Sequence, residues 1–327
     1  MDLLILGGTA WLGREISRQA VTRGHRVSCL ARGASGPVAD GATPVIADRR
    51  RPDAYDEVRG RDWDAVVEVS WQPGLVRPAL SALRDRAGHW TYVSSVSAYA
   101  AEGIVHADES TPLLAAHHGE EATRAQYGAA KAACEQLSAD LAGDRLLVAR
   151  VGLIGGPGDH TGRTGYWPAR SARDTAGPML VPDAPDLPVQ VIDVRDLAGW
   201  LIDNAEAGRT GSYNAVGPAQ RLSDWIGLSR EFGGHTGPVV RAPEEWLLRQ
   251  CVGQWAGAES LPLWVAGQHR PSWSGAAAAA AGLQHRTRRR LVGDLLDWER
   301  EQGLHRSRGA GLTDRREREL LAILGSC

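Results

Sequence analysis

Short apolar runs alternate with stretches of helical periodicity along the first half of the chain. The run at residues 3–6 is wholly aliphatic, and Leu12, Ile16 and Ala20 then recur at helical spacing. The same pattern predicts strands at residues 3–6, 27–30, 43–47, 65–69, 90–93 and 146–149, and helices at residues 11–23, 75–86 and 126–141. This alternation predicts right-handed βαβ crossovers, and hence an α/β fold with a doubly wound parallel sheet.

The pattern changes after Arg150. Residues 152–165 are rich in glycine and proline and predict a loop. A strand at 189–192, a helix at 194–204, a strand at 212–216 and mainly helical periodicity from residue 223 follow. Single cores stop growing near about 250–300 residues. The 327 residues therefore predict a sheet domain of residues 1–155 plus about 188–206, and a smaller, mainly helical domain of residues 156–187 and 207–327.

Composition and charge exclude several broad classes of function. The net charge of −2 gives no electrostatic reason to bind nucleic acid or an anionic membrane. The alanine-rich run at residues 275–282 is too short to span a bilayer, and residues 1–6 lack the basic start of a signal peptide. Four widely spaced cysteines predict no disulfide framework, and the adjacent His117 and His118 do not complete a metal site. We therefore expect a cytoplasmic protein without a metal, nucleic-acid or membrane partner.

A glycine-rich segment connects the first predicted strand to the first predicted helix. It reads Gly-Gly-Thr-Ala-Trp-Leu-Gly from Gly7 to Gly13. Glycine allows a tight turn and a close approach of the backbone to a pyrophosphate, and the free N–H groups at the start of a helix attract phosphate. A plain glycine turn is the alternative, but the position between strand and helix favours a dinucleotide phosphate loop.

The single lysine of the chain stands four residues after a tyrosine. On a helix, Tyr127 and Lys131 lie one turn apart on one face, so both side chains reach the same ligand. Lysine differs from arginine, the other basic residue of this chain, because its surroundings can shift its pKa. The pair therefore predicts one ligand that both the tyrosine hydroxyl and the lysine ammonium group contact. An amphipathic helix with one aromatic and one charged residue on a face is the structural alternative.

The glycine segment resembles the phosphate loop of the extended short-chain dehydrogenases/reductases, which share a Rossmann-type sheet and use NAD or NADP. Gly7 and Gly13 match the first and last glycines of the family's Gly-x-x-Gly-x-x-Gly loop, and Ala10 replaces the middle one. The resemblance makes the sheet domain the NAD(P)-binding domain and the other part the substrate-binding domain. It assigns cofactor contacts to Gly7, Thr9, Ala10, Trp11, Leu12 and Gly13. Matching segments extend in order over residues 3–215.

The tyrosine–lysine pair resembles the family's catalytic Tyr-x-x-x-Lys. In the family the lysine binds the nicotinamide ribose and lowers the pKa of the tyrosine, which exchanges a proton with the substrate oxygen. Residues 93–99 resemble the family's Ser-Ser-x-x-x-Tyr segment. The resemblance therefore implies that Ser95 holds the substrate oxygen beside Tyr127, with Ser94 as the alternative. Dimers are common in the family, so a homodimer stays open here.

The residues after the second and third predicted strands bear on the choice of cofactor. An arginine there favours the 2′-phosphate of NADP, and an acid favours the ribose of NAD. Arg32 follows the second strand and predicts NADP; NAD stays open if Arg32 is only a solvated surface residue. Asp48, after the third strand, resembles the family's adenine-side acid, although a cap or turn explains it equally well.

Four residues are predicted to surround the substrate. Trp71 follows the fourth strand, and His160, Arg163 and Trp167 follow the Gly-Pro turn where the family's substrate pocket begins. Arginine and aromatic rings suit an anionic or ring-bearing small molecule. Ordinary packing and surface roles stay open for all four.

These features together predict an NADP-dependent reductase of a small carbonyl compound. Dehydration is disfavoured, because Val96 and Ser97 follow Ser95 where the family's sugar dehydratases have an acid pair. An NAD-dependent nucleotide-sugar epimerase is one alternative, and a non-catalytic NAD(P)-binding relative is the other.

Overall fold

A seven-stranded parallel sheet forms the centre of the first part of the chain. The computed structural model describes residues 1–100, 103–267 and 272–325. Its strands are β1 (Asp2–Leu6), β2 (Arg26–Ala31), β3 (Thr43–Ile46), β4 (Trp63–Glu68), β5 (Ala87–Ser95), β6 (Leu146–Val151), β7 (Leu153–Gly155), β8 (Met179–Pro182), β9 (Pro188–Val189), β10 (Val191–Asp193), β11 (Gly211–Ala215), β12 (Gln220–Arg221), β13 (Val239–Ala242), β14 (Gly253–Trp255), β15 (Gly257–Ala258), β16 (Ser260–Pro262) and β17 (Ala310–Gly311). Its helices are α1 (Trp11–Thr22), α2 (Pro73–Leu83), α3 (Tyr127–Ala142), α4 (Tyr166–Arg173), α5 (Val194–Glu206), α6 (Leu222–Gly233), α7 (Glu244–Arg249), α8 (Ala276–Ala280), α9 (Arg288–Gln302) and α10 (Asp314–Gly325).

The strands of the large sheet lie in the order β11-β6-β5-β4-β1-β2-β3, and all neighbours are parallel. The chain builds one half outward from β1 to β3 and then returns to the other side of β1 with β4. Open α/β sheets bind ligands outside the carboxyl ends of the strands at such a reversal. The predicted Rossmann-type doubly wound sheet is therefore confirmed.

Successive residues of β1 face opposite sides of the sheet, as strand geometry requires. Leu3 and Ile5 belong to a core that also includes α1 and α5, whereas Leu4 and Leu6 belong to a second core with α2 and α3. All four side chains are fully buried, and each contributes about 1.5–3 kcal/mol by leaving water. Helices thus cover both faces of the sheet, and the carboxyl ends of the strands are the place where this fold binds ligands.

A third core gathers residues from the second half of the chain. Trp167, Trp225 and Trp264 are buried in it together with apolar residues of α6 and α9. The proposed boundaries between a sheet domain and a substrate domain stay a prediction. Among the residues that the structure describes, no helix is long and apolar enough to cross a membrane.

The strand predicted at residues 189–192 is in fact two short strands. β9 pairs antiparallel with β12, whereas β10 pairs parallel with β7. Gln190 lies between them, where its side-chain amide donates to the carbonyl oxygens of Gly217 and Trp273 and accepts the N–H of Trp273. This polar side chain supplies hydrogen bonds where the chain changes partner, a feature that an apolar run does not reveal.

Candidate active site

The predicted phosphate loop turns sharply between β1 and α1. Gly7 has a φ of +102°, in the region that favours glycine. A Cβ on Gly8 would lie 2.5 Å from the Cys29 Sγ, and a Cβ on Gly13 would overlap the Gly7 carbonyl oxygen. All three positions therefore require glycine for steric reasons. Gly8 is the member that the motif comparison missed, and its signal was the pair of adjacent glycines directly after a strand.

Ala10 occupies the N-cap position of α1, where the family pattern has glycine. Its φ of −81° and ψ of 161° are extended angles that any residue adopts, and its side chain is exposed. No side chain caps the first turn of α1, and no acidic residue lies in it. The first N–H groups of the helix therefore stay available to a phosphate. Alanine fits this turn, and the loop as a whole fits a dinucleotide.

Trp11 links the phosphate loop to the loop that follows β7. Its Nε1 donates to the Pro157 carbonyl oxygen at 2.9 Å, and its ring meets the exposed His160 edge to face, with 6.1 Å between centroids. The structure thus brings a predicted cofactor residue and a predicted substrate residue together. Of the other predicted loop contacts, Thr9 is buried and Leu12 is half-buried.

Arg32 and Asp48 lie just beyond the ends of β2 and β3. Arg32 is exposed and has no hydrogen bond or ion pair with any residue that the structure describes. Asp48 Oδ1 accepts the Arg50 N–H at 3.1 Å, and the Asp48 carbonyl oxygen accepts the Arg51 N–H at 2.8 Å. Asp48 therefore forms a turn, as the sequence allowed, and its role toward a cofactor stays a prediction.

A buried ion pair lies beneath the same edge of the sheet. Glu68 is fully buried, and the Arg49 guanidinium binds both of its carboxylate oxygens. Arg49 also donates to the Tyr55 hydroxyl at 3.0 Å, and Glu68 accepts the Ser70 N–H at 2.8 Å. Burial opposes the charge of Arg49, but the Glu68 carboxylate outweighs burial and raises the pKa of Arg49. Motif comparison missed this pair; its signal was a glutamate within an apolar strand, which needs a cationic partner.

Lys131 extends from α3 toward the carboxyl ends of β4 and β5. Its Nζ donates to the carbonyl oxygen of Val93 at 2.6 Å and to that of Ser70 at 3.1 Å, and lies 4.9 Å from the centre of the Tyr92 ring. The residue is only 3% exposed, and burial lowers the pKa of Lys131 to about 8. The ammonium form therefore still dominates at neutral pH, in a position at the edge where a ligand would lie.

Tyr127 is the first residue of α3, one turn before Lys131. Its ring meets Trp71 edge to face, with 5.4 Å between centroids. Burial raises the pKa of Tyr127, while the Ser95 side chain and the positive charge of Arg163 act in the opposite direction. The structure thus brings together four residues that were predicted separately, from four parts of the chain.

The electrostatics of this tyrosine differ from the expectation drawn from the family. The Lys131 ammonium faces two backbone carbonyls and is not among the groups that lower the pKa of Tyr127. Because burial outweighs the contributions of Ser95 and Arg163, the pKa of Tyr127 is raised. The expected lowering by Lys131 therefore stays a prediction, and Arg163 is the cation whose charge lowers the pKa of Tyr127 in this structure.

The two serines at the end of β5 have different partners. Ser95 Oγ accepts the Ser97 N–H at 3.1 Å, and the Ser95 side chain acts to lower the pKa of Tyr127. Ser94 Oγ instead donates to the carboxylate of Glu135 on the buried side of α3. The geometry therefore favours Ser95 over Ser94 as the partner of the tyrosine.

Glu135 belongs to a buried network that motif comparison did not reveal. Arg150 pairs with Glu135 at 2.9 Å and donates to the Tyr99 hydroxyl at 3.0 Å, and that hydroxyl donates to Asn214 Oδ1 at 2.6 Å. All four residues are buried. Because such networks are worth most when every member has a partner, this one fixes α3 relative to β6 and β11.

The last two predicted substrate residues lie in different surroundings. Arg163 is half-buried, and its Cζ lies 5.6 Å from the centre of the Trp255 ring. Trp167 is fully buried in the third core, and its Nε1 donates to the Pro262 carbonyl oxygen at 2.9 Å. This setting favours the packing role that the sequence left open for Trp167. Within residues 1–100, 103–267 and 272–325, no group of three or more His, Cys, Asp and Glu residues could hold a metal ion.

Sequence comparison gives limited information. No family model matches the chain. The photosystem II assembly factor Ycf39 of Trieres chinensis is 35% identical over a segment that covers 21% of this chain and 30% of that protein. The chain therefore matches less than a third of that relative's length.

Solved structures match along almost the whole chain. A candidate epimerase from Burkholderia cenocepacia J2315 has a TM-score of 0.71 at 19% identity, over 92% of this chain and 98% of that one. The UDP-glucose 4-epimerase of Thermus thermophilus, solved with NAD, has a TM-score of 0.66 at 17% identity, over 92% of this chain and 99% of that one. The Bordetella bronchiseptica enzyme WbmH, solved with NAD⁺, has a TM-score of 0.67 at 13% identity, over 92% of this chain and 99% of that one. At these identities the likeness shows a shared fold, so the resemblance to extended short-chain dehydrogenases/reductases is confirmed at the level of fold.

Proposed function

We propose that the chain is an NADP-dependent oxidoreductase that reduces a small carbonyl compound with Ser95, Tyr127 and Lys131. The observation that carries this proposal is the convergence of these side chains at the carboxyl ends of β4 and β5. The glycine loop that fits a dinucleotide phosphate lies at the same edge of the sheet. The proposal includes a cytoplasmic location and a small-molecule ligand in place of nucleic acid or membrane.

The proposed cofactor contacts follow from the groups left free at this edge. Residues 7–13 would hold the diphosphate through the N–H groups that begin α1. Lys131 would exchange its bonds with the Val93 and Ser70 carbonyls for the ribose hydroxyls. Arg32, exposed and unpaired among the described residues, would bind the 2′-phosphate of NADP. When bound, the nicotinamide supplies the hydride.

The chain's own part in the reaction is to hold the carbonyl oxygen and to give it a proton. The Tyr127 hydroxyl is protonated at neutral pH, as in an ordinary tyrosine with a pKa of about 10, and burial raises its pKa further. That protonated hydroxyl is the general acid that a reduction needs. Ser95 would donate a second hydrogen bond to the same oxygen and stabilise the negative charge that develops there.

Cofactor titration tests the proposal. We expect the fluorescence of bound nicotinamide to report tighter binding of NADPH than of NADH. Arg32→Asp should weaken NADPH by at least about tenfold, since a charged hydrogen bond is worth about 1.5–3 kcal/mol, and should leave NADH nearly unchanged. Arg249→Asp, on the exposed side of α7, controls for the loss of a surface charge. Equal losses for both nucleotides would end the role of Arg32, and binding of neither nucleotide would refute the proposal itself.

An NAD-dependent nucleotide-sugar epimerase is the second candidate. It is favoured by the fold shared with a UDP-glucose 4-epimerase that was solved with NAD. An epimerase returns the hydride to its substrate, so NAD that stays bound through purification, without net turnover, would favour it. A non-catalytic relative would bind the nucleotide but would not oxidise or reduce it with any substrate tried. Wild type and Tyr127→Phe would then show the same absence of turnover.

A further inference from the structure

Arg163 presents an unpaired positive charge at the candidate active site. It lies between β7 and α4 and is half-buried. Its Nε donates to Thr161 Oγ1 at 3.1 Å, but in the described part of the chain its two terminal nitrogens have no hydrogen-bond partner and no carboxylate within ion-pairing distance. Burial removes water from the guanidinium and lowers the pKa of Arg163. An anion bound there would restore the interactions that burial removes.

The acid in the same loop does not neutralise this charge. Asp159 attracts Arg163 electrostatically, yet the two groups form no ion pair. Asp159 is fully buried, and its carboxylate oxygens accept the N–H and hydroxyl groups of Thr161 and Thr164 at 2.5–3.2 Å. Four hydrogen bonds saturate that carboxylate. Asp159 therefore shapes the loop and leaves the guanidinium free for another acid.

Trp255 faces the guanidinium from the C-terminal half of the chain. It is 38% exposed, and its ring centre lies 5.6 Å from the Arg163 Cζ. Trp255 has a φ of +63°, and Cys251, Glu259 and Leu263 in the same segment also have positive φ values. Non-glycine residues rarely adopt this region, and such strain clusters at active sites and ligand clamps. The concentration of strained residues around an exposed indole therefore points to a binding surface opposite Arg163.

The same guanidinium acts electrostatically on the proposed reaction centre. Its charge acts on the Tyr127 hydroxyl, and Tyr127 in turn packs against Trp71. An anionic group on Arg163 would therefore lie beside the group that transfers the proton. A free anion such as phosphate on Arg163 would keep the substrate from the site. An anionic group within the substrate would instead orient the substrate relative to Tyr127.

We propose that Arg163 binds the carboxylate of the substrate, and that the substrate is an oxo acid whose carbonyl lies one or two carbons from that carboxylate. This inference rests on the proposed reductase function. A guanidinium holds a planar carboxylate through two parallel hydrogen bonds, which fixes orientation as well as position. The carbonyl carbon then receives the hydride of NADPH, its oxygen receives the Tyr127 proton, and water returns a proton to Tyr127. The product is the corresponding hydroxy acid.

Calorimetric titration with two acids and their neutral esters tests this assignment. Acetoacetate, benzoylformate and the methyl ester of each are titrated into the protein, with and without NADP⁺. Wild type should bind each acid at least about tenfold more tightly than its ester, as expected for a charged hydrogen-bonded pair. Arg163→Gln should bind acid and ester alike, at the affinity of the ester. Arg241→Gln removes an exposed arginine beside Asp183 and should keep the preference of wild type.

NADPH binding by the same variants separates the two proposals. It should be unchanged in Arg163→Gln, which also shows that the variant folds. Equal affinity of acid and ester for wild type, unaltered acid binding by Arg163→Gln, or failure of both acids to bind wild type would each overturn the role of Arg163. Acid binding through Arg163 without nucleotide binding would keep the anion site and refute the reductase. Nucleotide binding with equal reduction of neutral ketones and oxo acids would keep the reductase and refute the role of Arg163 as the carboxylate site.

Discussion

Lys131→Met should change how the stability of the protein depends on pH. Burial lowers the pKa of Lys131 from its ordinary 10.5 to about 8. In the unfolded chain the lysine regains its ordinary pKa, so between these two pH values unfolding takes up a proton. The free energy of unfolding contributed by Lys131 therefore rises with pH across this window. Below a pH of about 8 both states are charged, and the folded protein bears the whole cost of the buried ammonium.

The size of the effect follows from the shift. One pKa unit corresponds to about 1.4 kcal/mol, so a shift from 10.5 to about 8 corresponds to about 3 kcal/mol. The lysine is almost wholly buried, so solvent screens this cost little. Methionine keeps much of the volume of the lysine stem and has no charge at any pH. Relative to Lys131→Met, wild type should therefore gain about 3 kcal/mol between pH 7 and pH 10.5.

Urea denaturation of both proteins at intervals across this range measures the difference. Tyr92 and Cys134, whose pKa values burial raises, act with the opposite sign, because they ionise more readily in the unfolded chain. Subtracting the free energy of unfolding of Lys131→Met from that of wild type at each pH removes most of the contribution of these two residues. Lys131→Arg is the matched control, since it stays charged throughout and should differ from Lys131→Met by a constant amount. A difference between wild type and Lys131→Met that does not change with pH would refute the buried, weakened ammonium.

Two further predictions concern the phosphate loop and the serines. Gly13→Ala should cost about 1–3 kcal/mol of stability by overpacking and should weaken NADPH binding more than tenfold, whereas Gly227→Ala, with no neighbour near its added Cβ, should do neither. Denaturation and nucleotide titration measure both, and an unaffected Gly13→Ala would contradict the close packing of this turn. Ser95→Ala should lower kcat of carbonyl reduction by about 10²-fold or more, and should cost about 1 kcal/mol of stability because the Ser97 N–H loses its acceptor. Ser94→Ala should instead lose about 1–3 kcal/mol of stability, because a buried carboxylate loses its hydroxyl partner. If rate assays and denaturation instead showed that Ser94→Ala loses activity and Ser95→Ala loses only stability, Ser94 would be the catalytic serine and Ser95 the structural one.

The sheet and the tyrosine–lysine pair could be predicted because both depend on local spacing. The aliphatic run of β1 is buried on both faces, so its interpretation as a central parallel strand needed no distant information. Tyr127 and Lys131 are four residues apart, and any helix brings such a pair onto one face. The steric need for glycine at the turn is also local, although only the structure shows that Ala10 has ordinary backbone angles.

The partners of charged side chains could not be predicted, because packing between distant elements decides them. Arg49 and Glu68 are 19 residues apart in the sequence, and neither segment contains a pattern that predicts the other as its partner. For the same reason Arg163 could be identified as a site residue but not as a cation that acts on the tyrosine hydroxyl. Trp167 shows the converse, since a tryptophan after a loop has the same sequence signal whether it lines a pocket or fills a core.

The position of α3 illustrates why these distant pairs matter more to the site than the apolar pattern does. Tyr127, Lys131 and Glu135 follow one another at four-residue intervals along one face. Lys131 binds backbone carbonyls at the ends of two strands, and Glu135 binds Arg150 on a third. A helix that slid by one residue would move about 1.5 Å and break all of these bonds. The buried charges therefore set the position of the helix, and with it the position of the tyrosine hydroxyl relative to the end of β5.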